Sequence, residues 1–324
     1  VFDLYPLGGV LNGGRKEEKN MQYIYELTIL TPAYNRGNLL HVLYESLCKQ
    51  TCKDFQWLII DDGSTDDTEE VVSLFESQGF EINYFRKENG GKHTALNYSH
   101  PYIKGETVCI VDSDDWLLPE AVEKILERKK QYFPFKNVKL LTFLKGKNPK
   151  DSVCGAFPDK PEISNHIDFR VNGKRGGDCC EVISTDVFKE FPFPEHPGEK
   201  FLGEGYLWNN AGFKYDTAYI PEIIYICEYL EGGLTKSGRR LRIKCPLGGM
   251  DNSNSFFGSG EGRVVNDKTL RKEAMLYVCY GKFAGLTSKE IISGCARSDL
   301  ARKYYLPGWL LYIHWKCKYD KHGA

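Results

Sequence analysis

The chain has 324 residues with 41% hydrophobic and 13% aromatic side chains, which is enough for a sizeable core in one or two domains. Its 43 basic and 44 acidic residues leave a net charge of −1, so the composition does not indicate general nucleic-acid binding. No stretch of about 18 uncharged apolar residues occurs, and we therefore predict no transmembrane helix.

The cysteines and the start of the chain bear on its location. The 11 cysteines contain no C-x-x-C pair and no His/Cys zinc spacing, so we expect reduced thiols and a cytoplasmic protein.

Residues 1–20 are Gly-rich and then charged, whereas Met21 directly precedes the first strand pattern. We expect residues 1–20 to be a loose leader or an artificial tail, with the structured chain beginning at Met21.

Strand and helix patterns alternate over residues 27–133. Each apolar strand run is followed by a helix start or by apolar residues at helical spacing. This alternation predicts an α/β fold, with a Rossmann-like, mostly parallel sheet joined by right-handed crossovers and flanked by helices. The predicted strands are 27–32, 55–60, 82–85 and 108–111.

The alternation ends near residue 135. A further strand is predicted at 138–144, and the runs 214–220 and 223–229 are predicted strands that extend the sheet in the antiparallel direction. Residues 232–266 are Gly-rich and basic, which favours a flexible loop region. Helical patterns return at 267–283, 287–296 and 299–318.

The most informative stretch is the apolar run 108–111, which ends in Asp112, Asp114 and Asp115. Acids at the carboxyl end of a buried parallel strand lie at the edge of the sheet where open α/β folds bind ligands. Three carboxylates so close together repel one another unless a cation lies between them, and hard oxygen ligands suit Mg²⁺ or Mn²⁺ that also holds a phosphate. An acidic turn that caps the next helix is the alternative at this point.

A second acid pair, Asp61 and Asp62, follows the strand 55–60. Because parallel strands end at the same edge, we expect this pair to lie beside the turn 32–35 and the loop 89–92. The sequence lacks G-x-x-x-x-G-K-[ST], and its first strand lacks G-x-G-x-x-G. The pattern therefore predicts a nucleotide site in which a metal, and not a glycine cradle, neutralises the phosphates.

These motifs resemble, in order and spacing, the family 2 inverting glycosyltransferases of GT-A fold. The resemblance covers roughly residues 24–130. It implies transfer of a sugar from a nucleotide-diphosphate-sugar, a UDP-sugar in the first place, to an acceptor hydroxyl with inversion at the anomeric carbon. The matching segments are Pro32-Ala-Tyr-Asn35, Asp61-Asp62-Gly63-Ser64-x-Asp66-x-Thr68, Asn89-Gly90-Gly91-Lys92 and Asp112-x-Asp114-Asp115.

The resemblance also implies roles for single residues. Asp62, with Asp61 beside it, would hold the uracil or ribose, and Lys92 would lie near the base or phosphate. Asp112 and Asp114, together with Asp115, would hold Mn²⁺ or Mg²⁺ on the diphosphate. The implied nucleotide-sugar site comprises Pro32, Ala33, Tyr34, Asn35, Asp61, Asp62, Asn89, Gly91, Lys92 and Ser113.

Segments further along the chain resemble bacterial capsular and cell-surface polysaccharide members of this family. Such members place the catalytic base as an acid at the start of a helix beneath the acceptor, and Glu204 fits that position best. The usual acid-Asp pair is absent because Gly205 follows Glu204, so Glu199 and Asp178 stay open as rivals. An acid favoured at a helix start for its charge is the structural alternative. The segments are Gly177-Asp178-x-x-Glu181 and Gly198-Glu199-Lys200-Phe201-x-x-Glu204-x-x-x-Trp208.

The resemblance implies a GT-A catalytic domain over 21–231, the flexible region 232–266 and a helical C-terminal extension over 267–324. The implied partners are a nucleotide-sugar donor and a carbohydrate or lipid-linked oligosaccharide acceptor. Nucleic acid is not an implied partner, and whether the chain forms a homo-oligomer stays open.

Two other functions compete with this interpretation. In phosphatases that use Asp-x-Asp at a strand end, Asp112 would be the nucleophile. Trp116 stands where that motif needs a small residue, however, and the acid pair after the second strand stays unexplained. A non-catalytic sugar-binding subunit that keeps the fold would bind a nucleotide-sugar without turnover.

The last helical pattern carries an apolar stripe at helical spacing. The cations Arg302, Lys303, Lys316, Lys318 and Lys321 flank it. Such a helix can lie in the headgroup region at the inner face of the cell membrane, which predicts peripheral membrane contact. Packing on the catalytic domain or on another subunit is the alternative. The stripe consists of Leu306, Trp309, Leu310, Ile313 and Cys317.

Overall fold

The structure, a computed structural model, describes residues 23–227, 234–260 and 262–320. The predicted leader 1–20 lies outside these residues. The described chain forms a nine-stranded sheet covered by helices, followed by a group of packed helices. The predicted α/β architecture is therefore confirmed.

The first half of the sheet is parallel. Its elements are β1 (Tyr25–Ala33), α1 (Gly37–Cys48), β2 (Phe55–Asp61), α2 (Thr68–Ser73), β3 (Glu81–Arg86), α3 (Lys92–Tyr98) and β4 (Gly105–Ile110). The strands lie in the order β3-β2-β1-β4, and each neighbouring pair is parallel. All seven residues of β2 are buried, which explains why its sequence is mostly apolar and does not alternate between apolar and polar residues.

The second half of the sheet is mixed. Its elements are β5 (Trp116–Leu117), α4 (Ala121–Tyr132), β6 (Val138–Gly146), β7 (Glu162–Asn165), β8 (Cys179–Ser184), α5 (Thr185–Glu190), α6 (Gly205–Lys214) and β9 (Asp216–Ile226). The order continues β4-β8-β6-β9-β5, and β7 also pairs with β9. β8 is antiparallel to both of its neighbours, so β4 and β6 run in the same direction on either side of it.

One strand replaces the two predicted at 214–220 and 223–229. β9 runs parallel to β6, and it is antiparallel to β5 and β7, so the predicted antiparallel direction holds for only two of its three neighbours. Its pairing with β6 skips from Ile220 to Ile223. Pro221 lies in this gap and has no N–H to donate to the ladder. This interruption explains why the sequence pattern predicts two strands instead of one.

The prediction of a flexible loop over 232–266 is wrong for most of the described residues. They form α7 (Leu234–Lys244), α8 (Pro246–Asn254) and a 3₁₀ turn at Ser255–Phe257. The glycines that suggested a loop are sites of close packing. A Cβ at Gly248 would lie 2.7 Å from the carbonyl oxygen of Phe201, and one at Gly249 would lie 2.9 Å from the ring of Tyr280.

The extension is helical as predicted, but the helix predicted at 299–318 is divided into two at Tyr304. It contains α9 (Asp267–Phe283), α10 (Ser288–Ser293), α11 (Ser298–Lys303) and α12 (Tyr305–Asp320). These helices bury their own apolar cluster, in which Tyr277, Val278 and Trp315 are prominent. None of the helices in the described ranges has the length and apolarity needed to cross a membrane.

Candidate active site

The acid turn between β4 and β5 lies at the carboxyl end of the parallel strands. β1 pairs with β4 on one side and meets the end of β2 on the other, where Ala33 is paired with Asp61. Pro32 and Ala33 are buried at the end of β1. In the acid turn Asp112 and Asp114 are half-buried, whereas Ser113 and Asp115 are buried.

Lys92 joins two of the predicted site acids. Its ammonium group contacts a carboxylate oxygen of Asp112 and lies 2.5 Å from Oε1 of Glu204. Burial alone would lower the pKa of Lys92, but the two negative charges outweigh burial and raise it. Lys92 begins α3 and Glu204 immediately precedes α6. The starts of two helices therefore meet at the carboxyl end of β4.

Asp112 is held in its ionised form. Burial would raise the pKa of its carboxyl group, but the positive charges of Lys92, Lys145 and Arg36 outweigh burial and lower the pKa to about 2. The backbone N–H of Asp112 donates to the hydroxyl of Tyr225 over 3.0 Å. At neutral pH this side chain is a carboxylate, as a ligand of a cation must be.

Asp115 has a different environment. Its side chain is only 6% exposed, and the hydroxyl of Tyr225 donates to Oδ2 over 2.7 Å. Burial and the nearby charge of Asp112 raise the pKa of Asp115 to about 7. This residue is therefore a buried, hydrogen-bonded carboxyl group beside β9.

These environments bear on the predicted metal site. The described ranges contain no group of three or more His, Cys, Asp or Glu side chains arranged to hold a metal ion. The metal role predicted for Asp112, Asp114 and Asp115 therefore stays a prediction, and Oδ2 of Asp115 accepts a hydrogen bond from Tyr225. Magnesium and related ions on nucleotides commonly use one or two carboxylates and complete their shell with phosphate oxygens. Asp112 and Asp114 fit such an ion when a diphosphate supplies the remaining oxygens.

The turn after β1 is fixed by Asp61. This buried carboxylate accepts hydrogen bonds from the backbone N–H of Ser64 and the hydroxyl of Tyr84. The hydroxyl of Ser64 in turn accepts from the backbone N–H of Asn35 over 2.9 Å, and Asn35 has a φ of 53°. Tyr34 is 45% exposed on the same turn. Asp61 thus shapes the edge of the site from inside the protein.

Asp62 organises the glycine loop. Its carboxylate accepts from the backbone N–H of Gly90 over 2.9 Å, from that of Gly91 over 2.7 Å and from the side-chain amide of Asn89 over 3.1 Å. Gly91 has a φ of 95°, and a Cβ there would lie 2.0 Å from the carbonyl oxygen of Lys200. Only glycine is compatible with this backbone and this close approach.

The two rivals of Glu204 have structural partners of their own. The carboxylate of Glu199 accepts from the backbone N–H groups of Leu247 and Gly248, each over 2.8 Å, at the start of α8. Asp178 is exposed and lies 3.7 Å from the ammonium group of Lys145. Glu199 therefore has the position of a helix cap, whereas Asp178 is paired with the buried Lys145.

Sequence reasoning missed four charged or polar residues around the acid turn. Lys145 is 5% exposed, and its ammonium group lies 4.1 Å from the ring centroid of Tyr225. Burial, together with nearby acids, raises the pKa of Glu181 to about 8 despite the cations around it. Arg36 follows the predicted turn directly. A signal was present for Glu181, which is a charged residue between apolar neighbours in β8.

Part of the chain matches a known sequence family. Residues 28–134 match the profile of glycosyl transferase family 2. Glycosyltransferase GlyA of Streptococcus pneumoniae serotype 4 is 33% identical over 107 residues, which are 33% of this chain and 15% of that protein. The chain thus spans about 15% of the length of the first curated relatives that it matches.

One relative has a similar length. The GalNAc(5)-diNAcBac-PP-undecaprenol beta-1,3-glucosyltransferase of Campylobacter jejuni is 24% identical over 298 residues. The match covers 89% of this chain and 92% of that protein. The similarity therefore extends well beyond the profile match, into the helical extension.

Solved structures share the fold. TarS 1-349 of S. aureus in complex with UDP has a TM-score of 0.62 and 15% identity, with 92% of each chain covered. The mannosyltransferase PcManGT from Pyrobaculum calidifontis in complex with GDP-Man and Mn²⁺ has a TM-score of 0.54 and 17% identity, covering 91% of this chain and 84% of that one. These likenesses confirm the predicted GT-A fold. Within that fold, residues 28–134 are similar to glycosyl transferase family 2.

Proposed function

We propose that the chain transfers a sugar from a UDP-sugar to an acceptor hydroxyl in cell-surface or capsular polysaccharide synthesis, with inversion at the anomeric carbon. The observation that carries the proposal is the contact of Lys92 with both Asp112 and Glu204. Only one ammonium group separates the acid after β4 from the acid at the start of α6. Such closeness suits a single in-line displacement, in which the leaving diphosphate and the catalytic base act on opposite sides of one carbon atom.

The proposed donor site is the cluster of charges around Asp112. Asp112 and Asp114 would hold Mn²⁺ or Mg²⁺, which when bound supplies Lewis-acid stabilisation of the leaving diphosphate. Arg36, Lys92 and Lys145 surround Asp112 with positive charge that also favours a diphosphate. The likeness to structures that contain UDP, or GDP-Man with Mn²⁺, supports this class of donor and cofactor.

Glu204 is the proposed base. Its carboxylate accepts the proton of the acceptor hydroxyl while the acceptor oxygen forms its bond to the anomeric carbon. The bond from that carbon to the diphosphate oxygen breaks, and its electron pair leaves with the nucleotide. Lys92 positions Glu204 and places a positive charge near the developing negative charge of the leaving group. Glu199 is a weaker candidate because its carboxylate caps α8.

The proposed acceptor is a carbohydrate, in the first place a lipid-linked oligosaccharide. The name of the Campylobacter jejuni relative describes an oligosaccharide on a polyprenyl diphosphate, and that relative covers 89% of this chain. The phosphatase alternative loses support, because residues 28–134 match the profile of glycosyl transferase family 2.

Replacement of Glu204 separates binding from chemistry. We expect Glu204→Gln to retain affinity for the UDP-sugar, because size and hydrogen bonding are kept, whereas kcat falls about 10²–10⁴-fold through loss of the base. The measurement is sugar transfer and donor affinity with a panel of UDP-sugars, using free and lipid-linked oligosaccharides as acceptors. Glu199→Gln is the matched control, which we expect to lower stability through the cap of α8 while kcat stays near normal.

Other results would change the role of Glu204 or the function of the chain. Near-normal kcat in Glu204→Gln, or a loss of kcat in Glu199→Gln alone, would reassign the base. Equal losses of donor affinity and kcat in Glu204→Gln would make this residue a donor ligand. Tight binding of a UDP-sugar by the wild type with no product from any acceptor would favour the non-catalytic sugar-binding subunit.

A further inference from the structure

One face of α12 packs against α9. Gly308 and Trp315 are buried on this face, and a Cβ at Gly308 would lie 2.7 Å from the carbonyl oxygen of Met275. The ring of Trp315 lies 6.0 Å from that of Tyr280 in α9, measured between centroids. α12 thus packs against the rest of the protein, as the alternative prediction states, but the residues that pack are not those of the predicted apolar stripe.

The opposite face of α12 is apolar and exposed. Leu306 is 62% exposed and Leu310 is 54% exposed, while Trp309 and Ile313 are each 38% exposed. Cys317 is exposed as well. Spacings of three and four residues place these side chains on one side of a helix. The stripe predicted from the sequence is therefore the outward face, a row hereafter called the outer stripe (Leu306, Trp309, Leu310, Ile313 and Cys317).

Cations border the outer stripe. Lys316 lies over the ring of Tyr312 and Lys318 over that of Tyr319, each 5.7 Å from the ring centroid. Lys303, at the end of α11, lies 5.5 Å from the ring centroid of its neighbour Tyr304. Between Asp299 and Asp320, the sequence contains no acidic residue and four Lys or Arg side chains, at positions 302, 303, 316 and 318.

We propose that the outer stripe docks on a membrane surface containing anionic lipid, with α12 lying in the headgroup region. Leucine, isoleucine and tryptophan side chains enter the boundary between headgroups and acyl chains, while lysines beside them contact lipid phosphates. A second copy of the chain is a poorer occupant, because a two-fold contact would bring the bordering lysines of both copies together. The inference rests on α11 and α12 alone and does not depend on the proposed sugar transfer.

Co-sedimentation of the full chain with vesicles tests this inference. We expect the wild type to pellet with vesicles of phosphatidylglycerol and phosphatidylcholine at low salt, and to stay in solution with phosphatidylcholine alone. Leu306→Gln/Leu310→Gln removes apolar burial from two exposed positions and should weaken partitioning roughly tenfold or more. Lys316→Gln/Lys318→Gln should weaken partitioning by a similar factor, because each lysine near an anionic surface contributes roughly fivefold. Leu74→Gln, at a 79% exposed leucine in another part of the chain, is the matched control.

Tryptophan fluorescence gives a second readout of the same face. We expect a blue shift of emission on addition of the anionic vesicles, and loss of most of that shift in Trp309→Phe. Equal pelleting of wild type and Leu306→Gln/Leu310→Gln, or no pelleting of the wild type, would overturn the proposal. A concentration-dependent dimer that this double substitution abolishes, without vesicle binding, would assign the outer stripe to a second copy instead.

Discussion

Residues that look alike in the sequence differ in chemistry because their hydrogen-bond partners differ. Asp62 and Asp112 both follow a buried parallel strand, yet backbone N–H groups of the glycine loop bond to the carboxylate of Asp62. The carboxylate of Asp62 also contacts the ammonium group of Lys87. The side-chain partner of the Asp112 carboxylate is the ammonium group of Lys92. A cation on a flexible side chain can exchange its partner, whereas the loop N–H groups are fixed by the backbone. Donor chemistry at Asp112 is therefore our proposal, and contact of Asp62 with the nucleotide stays a prediction.

Asp62→Ala tests the structural role of this carboxylate. The substitution leaves the ammonium group of Lys87, now 2.9 Å from Oδ1, and the N–H groups of Gly90 and Gly91 without their acceptor. We expect the free energy of unfolding to fall by about 3–5 kcal/mol, as for removal of one member of a buried pair. Urea unfolding measures this change.

The matched control for Asp62→Ala is Asp299→Ala, which removes an exposed acid from an ion pair with Arg297. We expect little change in the free energy of unfolding there, because ion pairs at the surface contribute little. Unchanged stability in Asp62→Ala combined with a loss of UDP-sugar affinity would contradict the structural role and favour direct contact with the nucleotide.

Elements that follow local patterns were predictable, and elements that depend on distant packing were not. The strands before the two acid pairs and helix α9 match the predictions because each carries its own apolar period. α8 was missed, since Gly248 and Gly249 lower helix propensity and only tertiary contacts explain them. The site shows the same division. Its acids were visible as motifs, but the cation Lys145 reaches Asp112 from a strand whose position no local pattern reveals.

Gly249→Ala tests the account of α8. A Cβ at this position would lie 2.9 Å from the ring of Tyr280, which is itself buried. We expect overpacking to cost about 1–3 kcal/mol, which exceeds the gain of up to about 1 kcal/mol in helix propensity. Thermal or urea unfolding measures the balance. Gly176→Ala is the control because nothing lies within 4 Å of its added Cβ, and greater stability of Gly249→Ala than of the wild type would contradict close packing of α8.

On the scale of the whole molecule, the helical part supports the segment that leads to Glu204. Glu199 in this segment caps α8, and His196 lies 2.5 Å from the carboxylate of Asp251 in the same helix. Hydrogen bonding to Asp251 raises the pKa of His196, with burial opposing it. Asn209 of α6 also donates to the hydroxyl of Ser255 over 2.9 Å. The position of Glu204 relative to the sheet thus depends on both parts of the chain.

We propose that Asp112 belongs to a metal-assisted donor site and that Glu204 is the catalytic base beside it. The most direct measurement is thermal unfolding of the full chain with UDP-sugars, with and without Mn²⁺, in the wild type, Asp112→Ala and Glu204→Gln. A ligand that binds only the folded state, at about 100 times its Kd, adds about 2.7 kcal/mol of stability. We predict such a shift with Mn²⁺ present in the wild type and Glu204→Gln, and its loss in Asp112→Ala and on addition of EDTA. An equal, EDTA-resistant shift in Asp112→Ala, or no shift with any nucleotide-sugar, would contradict the account.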